Sequence, residues 1–400
     1  MAASPTTEML ERLRDEVVHR LPDFLRDLES IVNIESGSYA KAGVDEVAAW
    51  MTARLTGLGA TIERHAHETL GDTVVATLRR DRSGPAGPLS PRILLIGHAD
   101  TVFEPGYLAR RPFEIDGDRI LGPGVSDMKS GLLVGLYALE ALRAVGVDDD
   151  WLPVGELVYV VNPDEEIGSP VSTPIITELA RTAEAAFVME AARENGDIVS
   201  ARKGMMHLRA TIHGRSAHAG VEPERGRSAT LEAAHKTVAL HALNGRWPGV
   251  TVNVGEIRGG TRPNIVAEEC VITLDMRARQ RAEQDEAEAA IREILESSTV
   301  PDVTTEVVQL AHSRPMEKTA YSAKLVDAAG QIAARLGFEL RDAETGGGSD
   351  ANTTAGTGVP TLDGLGPVGG NDHSPFEYVE KSSIVPRTTL LAALLLSVGG

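Results

Sequence analysis

The chain has 400 residues, 42% of them hydrophobic and 24% charged, and a formal net charge of −19. That length exceeds what one hydrophobic core usually serves, so two domains are expected, and neither a disulfide nor a metal is needed merely to fold. The acidity argues against nucleic acid and anionic membrane surfaces as partners, and the one cysteine, Cys270, permits no intrachain disulfide, which fits a cytoplasmic setting.

The N-terminus, MAASPTTEMLERLRDEVVHR, lacks an apolar signal core and opens an acidic amphipathic helix over about 7–32. A second helix pattern covers 44–59, with Gly57 and Gly59 as its stop. Strand patterns follow at 73–78 and 92–97. A helix runs from near Met128 to Gly146, followed by the strand ELVYVV, a helix around 173–183 and the strand AAFVME at 185–190. Strands alternating with helices imply an α/β fold, a mainly parallel sheet with helices on both faces. From about 205 the order becomes strand–helix–strand–strand–helix–strand, that of a ferredoxin-like α+β unit. Cys270 falls in its strand CVITLDMRA, on the alternating apolar face. An insert over 204–313 is therefore predicted within a discontinuous domain made of 1–203 and 314–400. Near the end, TLLAALLLSV is too short to span a bilayer and reads as a buried helix.

The polar residues just beyond the predicted strands carry the chemistry. His98-Ala99-Asp100 follows RILLIG, Glu165-Glu166 follows LVYVV, and Glu190 follows AAFVM. Asp127 precedes a helix, and His373 stands in a Gly-rich loop. In such sheets ligands bind beyond the carboxyl ends of the strands. Two imidazoles and several carboxylates without a thiolate suit zinc, or cobalt or manganese. Five candidates exceed the needs of one zinc and suggest two metals sharing a bridging carboxylate. His98 and Asp100, two apart in an extended segment, share a side, so Asp100 can orient the ring of His98. His65 and His67 read as surface residues lying before any strand end, and His207, His213, His235 and His241 as structural. No Gly-x-Ser-x-Gly elbow supports a serine hydrolase.

In order along the chain, GHADTVFEPG, GPGVSDMKSG, NPDEEIGS, VMEA, GRSAHAG and NDHSPFEYV resemble the successive motifs of the dizinc aminoacylase/carboxypeptidase family, which includes acetylornithine deacetylases and succinyl-diaminopimelate desuccinylases. TGGGSDA, RPNIV, DMR and the Arg-Pro of HSRPM are most similar to its glutamate carboxypeptidase (carboxypeptidase G) branch. The resemblance implies a catalytic zinc-peptidase domain with an inserted dimerisation (lid) domain. It implies His98, Asp127, Glu166, Glu190 and His373 as ligands of two Zn2+, with Asp127 bridging, Glu165 as general base and Asp100 as the residue steering His98. Chemistry agrees: a base must stand near the attacking water yet free of the metal, and consecutive residues at a strand end point different ways. The resemblance also implies a homodimer in which His218 reaches across the interface to the oxyanion. Asn264 and Arg277 match positions that bind the substrate's carboxylate. Arg314 is similar, though an ion-pair role fits it equally, Lys203 is a candidate substrate contact, and Gly347 and Gly348 belong to a run whose backbone approaches substrate closely.

The activity expected is hydrolysis of an amide bond in N-acyl amino acids or short peptides with a free C-terminal carboxylate. A metal-activated water attacks and Glu165 serves as general base, as in a glutamate carboxypeptidase. The alternative is an N-acyl-amino-acid deacylase. A non-catalytic peptide or amino-acid binder would have lost ligands or base, and none is lost here.

Overall fold

A computed structural model of the protein describes residues 5–80, 91–146 and 151–399. Two compact units emerge: one holds the residues up to Ser200, Lys318–Glu344 and those from Ser349 onward, the other Ala201–Glu317 with Thr345–Gly348.

The first unit is built on a six-stranded sheet in the order Thr61–His65, Thr73–Arg79, Glu156–Asn162, Arg92–His98, Ala185–Val188, Thr361–Leu362. The first two junctions are antiparallel and the other three parallel. The central strands are buried on both faces, which is why RILLIG and ELVYVV are continuous apolar runs rather than alternating ones. Helices Thr7–Val32, Lys41–Gly57, Ser130–Val145, Ala320–Leu336 and Lys381–Gly399 contribute to the same core. The first is capped by Thr6, whose hydroxyl accepts from Met9 N at 3.2 Å, and it buries Leu10, Leu13, Val17, Phe24, Leu28 and Ile31 along one helical stripe. Helix Ser130–Val145 is buried almost all round, and Gly131 lets it seat on the strand end at Met189. A Cβ at Gly131 would lie 1.9 Å from the Met189 carbonyl oxygen.

The last helix runs farther than the apolar stretch TLLAALLLSV. By length and composition alone it could cross a membrane, but Leu390–Leu395 are fully buried in the core of this unit. A second difference is His65, which ends the sheet's edge strand rather than preceding any strand. A third is a small sheet of Glu114–Asp116, Arg119–Leu121, Gly369–Gly370 and Tyr378–Glu380, pairing Tyr378 with Leu121 and Glu380 with Arg119. Strands of two or three residues carry no readable period.

The second unit is a four-stranded antiparallel sheet in the order Thr251–Gly259, Glu269–Ala278, Gly204–His213, Thr304–Ser313, with helices Ala229–His241 and Arg281–Glu296. Chain order and pairing are ferredoxin-like. Cys270, Ile272, Leu274, Met276 and Ala278 alternate inward. The acidic helix buries Gln284, Ala287, Ile291 and Leu295 and turns its charges outward. This unit begins earlier and ends later than the composition change suggests. Arg202 and Met316 exchange backbone hydrogen bonds at 3.0 Å, Lys203 N donates to Thr345 O at 3.1 Å, and Arg202 Nη1 donates to Gly347 O at 3.1 Å. Those bonds draw the chain crossings and the glycine run into the second unit.

Candidate active site

The three parallel central strands deliver their last residues to one edge. His98 pairs with Asn162 at two strand ends, and Glu190 stands two residues beyond Val188. The glutamate doublet occupies a single 3-10 turn, Glu165–Ile167, just past Asn162. Asp127 lies in a kinked turn, Val125–Lys129, with φ −111° and ψ 92°, and its peptide bond to Met128 is cis. His373 sits at φ 60° in the loop after Gly370.

These side chains meet. His98 is fully buried, and its Nε2 lies 2.9 Å from Asp127 Oδ1 and 3.7 Å from Glu190 Oε1. The other Asp127 oxygen, Oδ2, is 3.0 Å from His373 Nε2, so one carboxylate stands between two imidazoles. His373 Nε2 is also 3.1 Å from Glu166 Oε2, while the buried Glu166 Oε1 has no hydrogen-bond partner among the described residues. Ligand atoms of His98, Glu165 and Glu190 lie within 4.8 Å of one another, as do those of His98, Asp127 and Glu166. Glu165 is therefore as near the cluster as its neighbour. Hydrogen bonding separates the two: among the described residues, nothing donates to the Glu165 carboxylate.

The electrostatics are those of crowded acids. Burial pushes Glu190 up to about 8, with the Asp127 charge adding to it. Burial also lifts Glu165 well above the carboxylate range and raises Glu166 despite its bond to His373. Asp127 moves the other way, because His373 and His98 outweigh its burial. Bonds to Asp127 and Glu166 raise His373 to about 11. Burial pulls His98 down, yet Asp100, Asp127 and Glu190 hold it well above its usual value. Four carboxylates around two imidazoles, with one buried oxygen orphaned and no thiolate, form a donor set that fits hard or borderline divalent cations. Cations here would invert the local electrostatics and hold the acids ionised.

Asp100 does more than its spacing suggests. Its carboxylate is 3.3 Å from His98 Nδ1, but its backbone oxygen is closer to that nitrogen, at 3.0 Å. The carboxylate mainly accepts from Glu165 N at 3.1 Å, Glu166 N at 3.2 Å and Ser38 Oγ at 2.7 Å. It fixes the doublet's backbone. Arg387 supports the turn beside Glu190: its guanidinium donates to the carbonyls of Gly366, Gly196 and Gly364, and Gly366 N donates to Glu190 O at 2.8 Å.

In the second unit, the segments of His218 and Asn264 are joined: His218 pairs with Ile265, and Ala219 N donates to Asn264 O at 3.0 Å. Arg277 Nε donates to Asp275 Oδ2 at 2.9 Å, and its Nη1 donates to Gly346 O at 3.4 Å. The carbonyls of Gly347 and Gly348 accept from Arg202. Arg314 is engaged by the acidic helix, at 2.5 Å from Asp285 and 3.2 Å from Gln284, which favours its ion-pair reading. Lys203 is tied through its backbone to Thr345.

A mixed sheet whose strand ends gather imidazoles and carboxylates around a metal-suited cluster defines a metal-dependent hydrolase. Comparison with known proteins carries this further. Residues 94–397 match the model of peptidase family M20/M25/M40, and the chain belongs to that family. It is 30% identical over 404 residues to carboxypeptidase G2 from Pseudomonas sp. (strain RS-16), covering 98% of this chain and 94% of that one. It is 27% identical to acetylornithine deacetylase of Photorhabdus laumondii subsp. laumondii, over 64% of this chain and 68% of that one. The fold is similar to aminopeptidase PepT from Bacillus cereus (TM-score 0.76, 23% identity, 95% and 99% of the two chains). It is also similar to a family M20 metallo-carboxypeptidase from Sulfolobus solfataricus (TM-score 0.70, 16% identity, 94% and 99%). The protein is thus a metal-dependent peptidase or amidohydrolase.

Proposed function

We propose that this enzyme is an exopeptidase of the glutamate carboxypeptidase type, cleaving the amide bond of N-acyl amino acids or short peptides that end in a free carboxylate. Two divalent ions, zinc foremost, held by His98, Asp127, Glu166, Glu190 and His373 with Asp127 between them, would supply Lewis acidity to the amide carbonyl and to the attacking water. Glu165 takes a proton from that water and hands it to the leaving amine. Asp100 holds the Glu165 backbone in place for both transfers. His218 of the partner subunit donates to the developing oxyanion. Asn264 and Arg277 hold the substrate's terminal carboxylate, with Lys203, Gly347 and Gly348 as further contacts.

The observation that carries the chemistry is the split at residues 165–166: Glu166 is bonded to His373, while among the described residues nothing donates to the half-buried carboxylate of Glu165. The likeness to carboxypeptidase G2 along nearly the whole chain supports the substrate class. A turnover screen of zinc-loaded protein tests it, with one acyl group on several amino acids and several acyl groups on glutamate. Rates that follow the amino acid, with glutamate foremost, are expected. Rates that follow the acyl group and ignore the amino acid would instead make the enzyme a deacylase.

A further inference from the structure

Glu377 is buried, with 2% of its surface exposed, and no motif reading assigned it a role. Its carboxylate reaches across the chain to the turn that carries Asp127. Oε2 accepts from Gly124 N at 3.0 Å, and Oε1 accepts from Ser126 N at 2.8 Å and Asp127 N at 3.0 Å. Three backbone N–H groups thus converge on an anion supplied by the protein itself, a built-in version of the anion-binding nest. Glu377 follows His373 by four residues, and His373 Nε2 faces Asp127 Oδ2 at 3.0 Å. One side chain therefore ties together the two loops whose own side chains meet at the cluster.

Burying a carboxylate is expensive, and here the cost is offset by three backbone donors that an apolar side chain would leave unsatisfied. Among the described residues, other ties between these loops include the contact of His373 with Asp127 and the pairing of Arg119–Leu121 with Tyr378–Glu380, strands of three residues each in the small sheet. Such short pairs are marginal by themselves. Burial pushes Glu377 up to about 8 although three backbone N–H groups pull it back, and burial lowers the neighbouring Lys129, which donates to Ile34 O at 2.7 Å, to about 7. A carboxylate is the group that can satisfy three converging donors at once, because it offers two oxygens and no competing hydrogen.

We infer that Glu377 is a positioning residue for the metal centre: it sets the separation of Asp127 and His373 by clamping the Gly124–Asp127 backbone to the loop behind His373. The inference rests on the reading that Asp127 and His373 hold metal. It distinguishes Glu377 from a generic core residue because its loss should be felt in metal affinity before it is felt in the fold.

The test is Glu377→Gln in the full chain, whose amide would turn a donor toward one of the three N–H groups. Zinc affinity is measured by competition with a chromophoric chelator, and thermal melting is recorded on the metal-free protein. The expected result is zinc binding weaker by about 10–100-fold, a metal-free melting temperature within a few degrees of wild type, and activity partly restored by excess zinc. Wild-type zinc affinity in Glu377→Gln overturns the inference, whatever happens to activity. Should that variant fail to fold, Glu377→Asp keeps the charge but is one methylene too short to reach all three donors, and the same loss of affinity is expected of it. Asp127→Asn runs alongside. If it binds zinc as tightly as wild type, or if wild type binds none, the ligand reading fails; if it binds weakly and both Glu377 variants bind normally, only the inference about Glu377 fails.

Discussion

Replacing Asp100 with alanine separates two jobs that its position would let it do. The variant removes the acceptor for Glu165 N, Glu166 N and Ser38 Oγ, yet it leaves the Asp100 backbone oxygen 3.0 Å from His98 Nδ1. His98 therefore keeps its orienting partner, and the doublet loses its own. Three donors left without an acceptor cost about 1–3 kcal/mol each, so roughly 3 kcal/mol at the low end. For a unit of this size that corresponds to a melting temperature lower by about 6 °C in the metal-loaded protein. A base displaced by about 1 Å loses on the order of 100-fold in rate. Zinc affinity should fall by no more than about 10-fold, the mild end of what loss of a ligand-orienting group causes. Steady-state kinetics, chelator competition and calorimetry on one preparation measure all three. A variant that turns over normally once saturated with zinc, but binds zinc hundreds of times more weakly, would refute the reasoning and return Asp100 to a role on His98 alone.

Glu165→Gln should keep its full zinc content and lose at least about 100-fold in kcat; normal turnover would remove Glu165 as the base. Mixing inactive Glu165→Gln with inactive His218→Ala should restore part of the activity through hybrid dimers, and no recovery after verified subunit exchange would place His218 outside the partner's site. Loading metal-free protein with zinc at pH 7 should release protons, because burial lifts Glu190 to about 8 and raises Glu166, while bonds to Asp127 and Glu166 raise His373 to about 11; these three must be ionised or neutral to ligate. Titration calorimetry in buffers of differing ionisation enthalpy counts them, and a count of zero contradicts the crowded-acid picture. Asp72 tests acid stability away from the site. Burial would raise its carboxyl, but Lys41 at 2.5 Å, the His67 N–H and Arg64 at 2.6 Å outweigh it and hold it below its usual range. With the folded value below the unfolded one, its contribution is complete above about pH 4 and lost as pH falls through the folded value. The stability gap between wild type and Asp72→Asn should accordingly close at the acid end of a pH series of urea melts.

Much of the cluster could be read from the sequence because of where apolar runs stop. His98, the glutamate doublet and Glu190 each end a buried run, and parallel strands carry such ends to one edge. Asp127 and His373 stand in loops with no period, and only the ordered motifs pointed to them. What the sequence could not show is the layer that accepts backbone N–H groups. Asp100 beneath the doublet, Glu377 beneath Asp127 and Arg387 over three carbonyls all act on main-chain atoms distant in the chain, and no spacing rule marks such partners. The same limit hid the unit boundaries, which follow the bonds of Arg202 with Met316 and of Lys203 with Thr345 rather than a change of composition. The small sheet was invisible because its strands are two or three residues long. The final helix was read too short because its first two turns, KSSIVPR, mix polar and apolar residues around Pro386, although Ser383, Ile384 and Arg387 are already buried.

The interruption of the first unit by the second has a consequence for biosynthesis. A ribosome completes the stretch Ala201–Glu317 while the first unit still lacks its outermost strand at Thr361–Leu362, the helix Lys381–Gly399 and His373. At about 5–20 residues per second, the remaining segment arrives seconds later. During that interval the half-made sheet presents unburied apolar strand surface, and the imidazole opposite Asp127 does not yet exist. The fold thus delays assembly of the cluster of imidazoles and carboxylates until residues well beyond the second unit have been made, so a product ending before His373 would be unable to complete it.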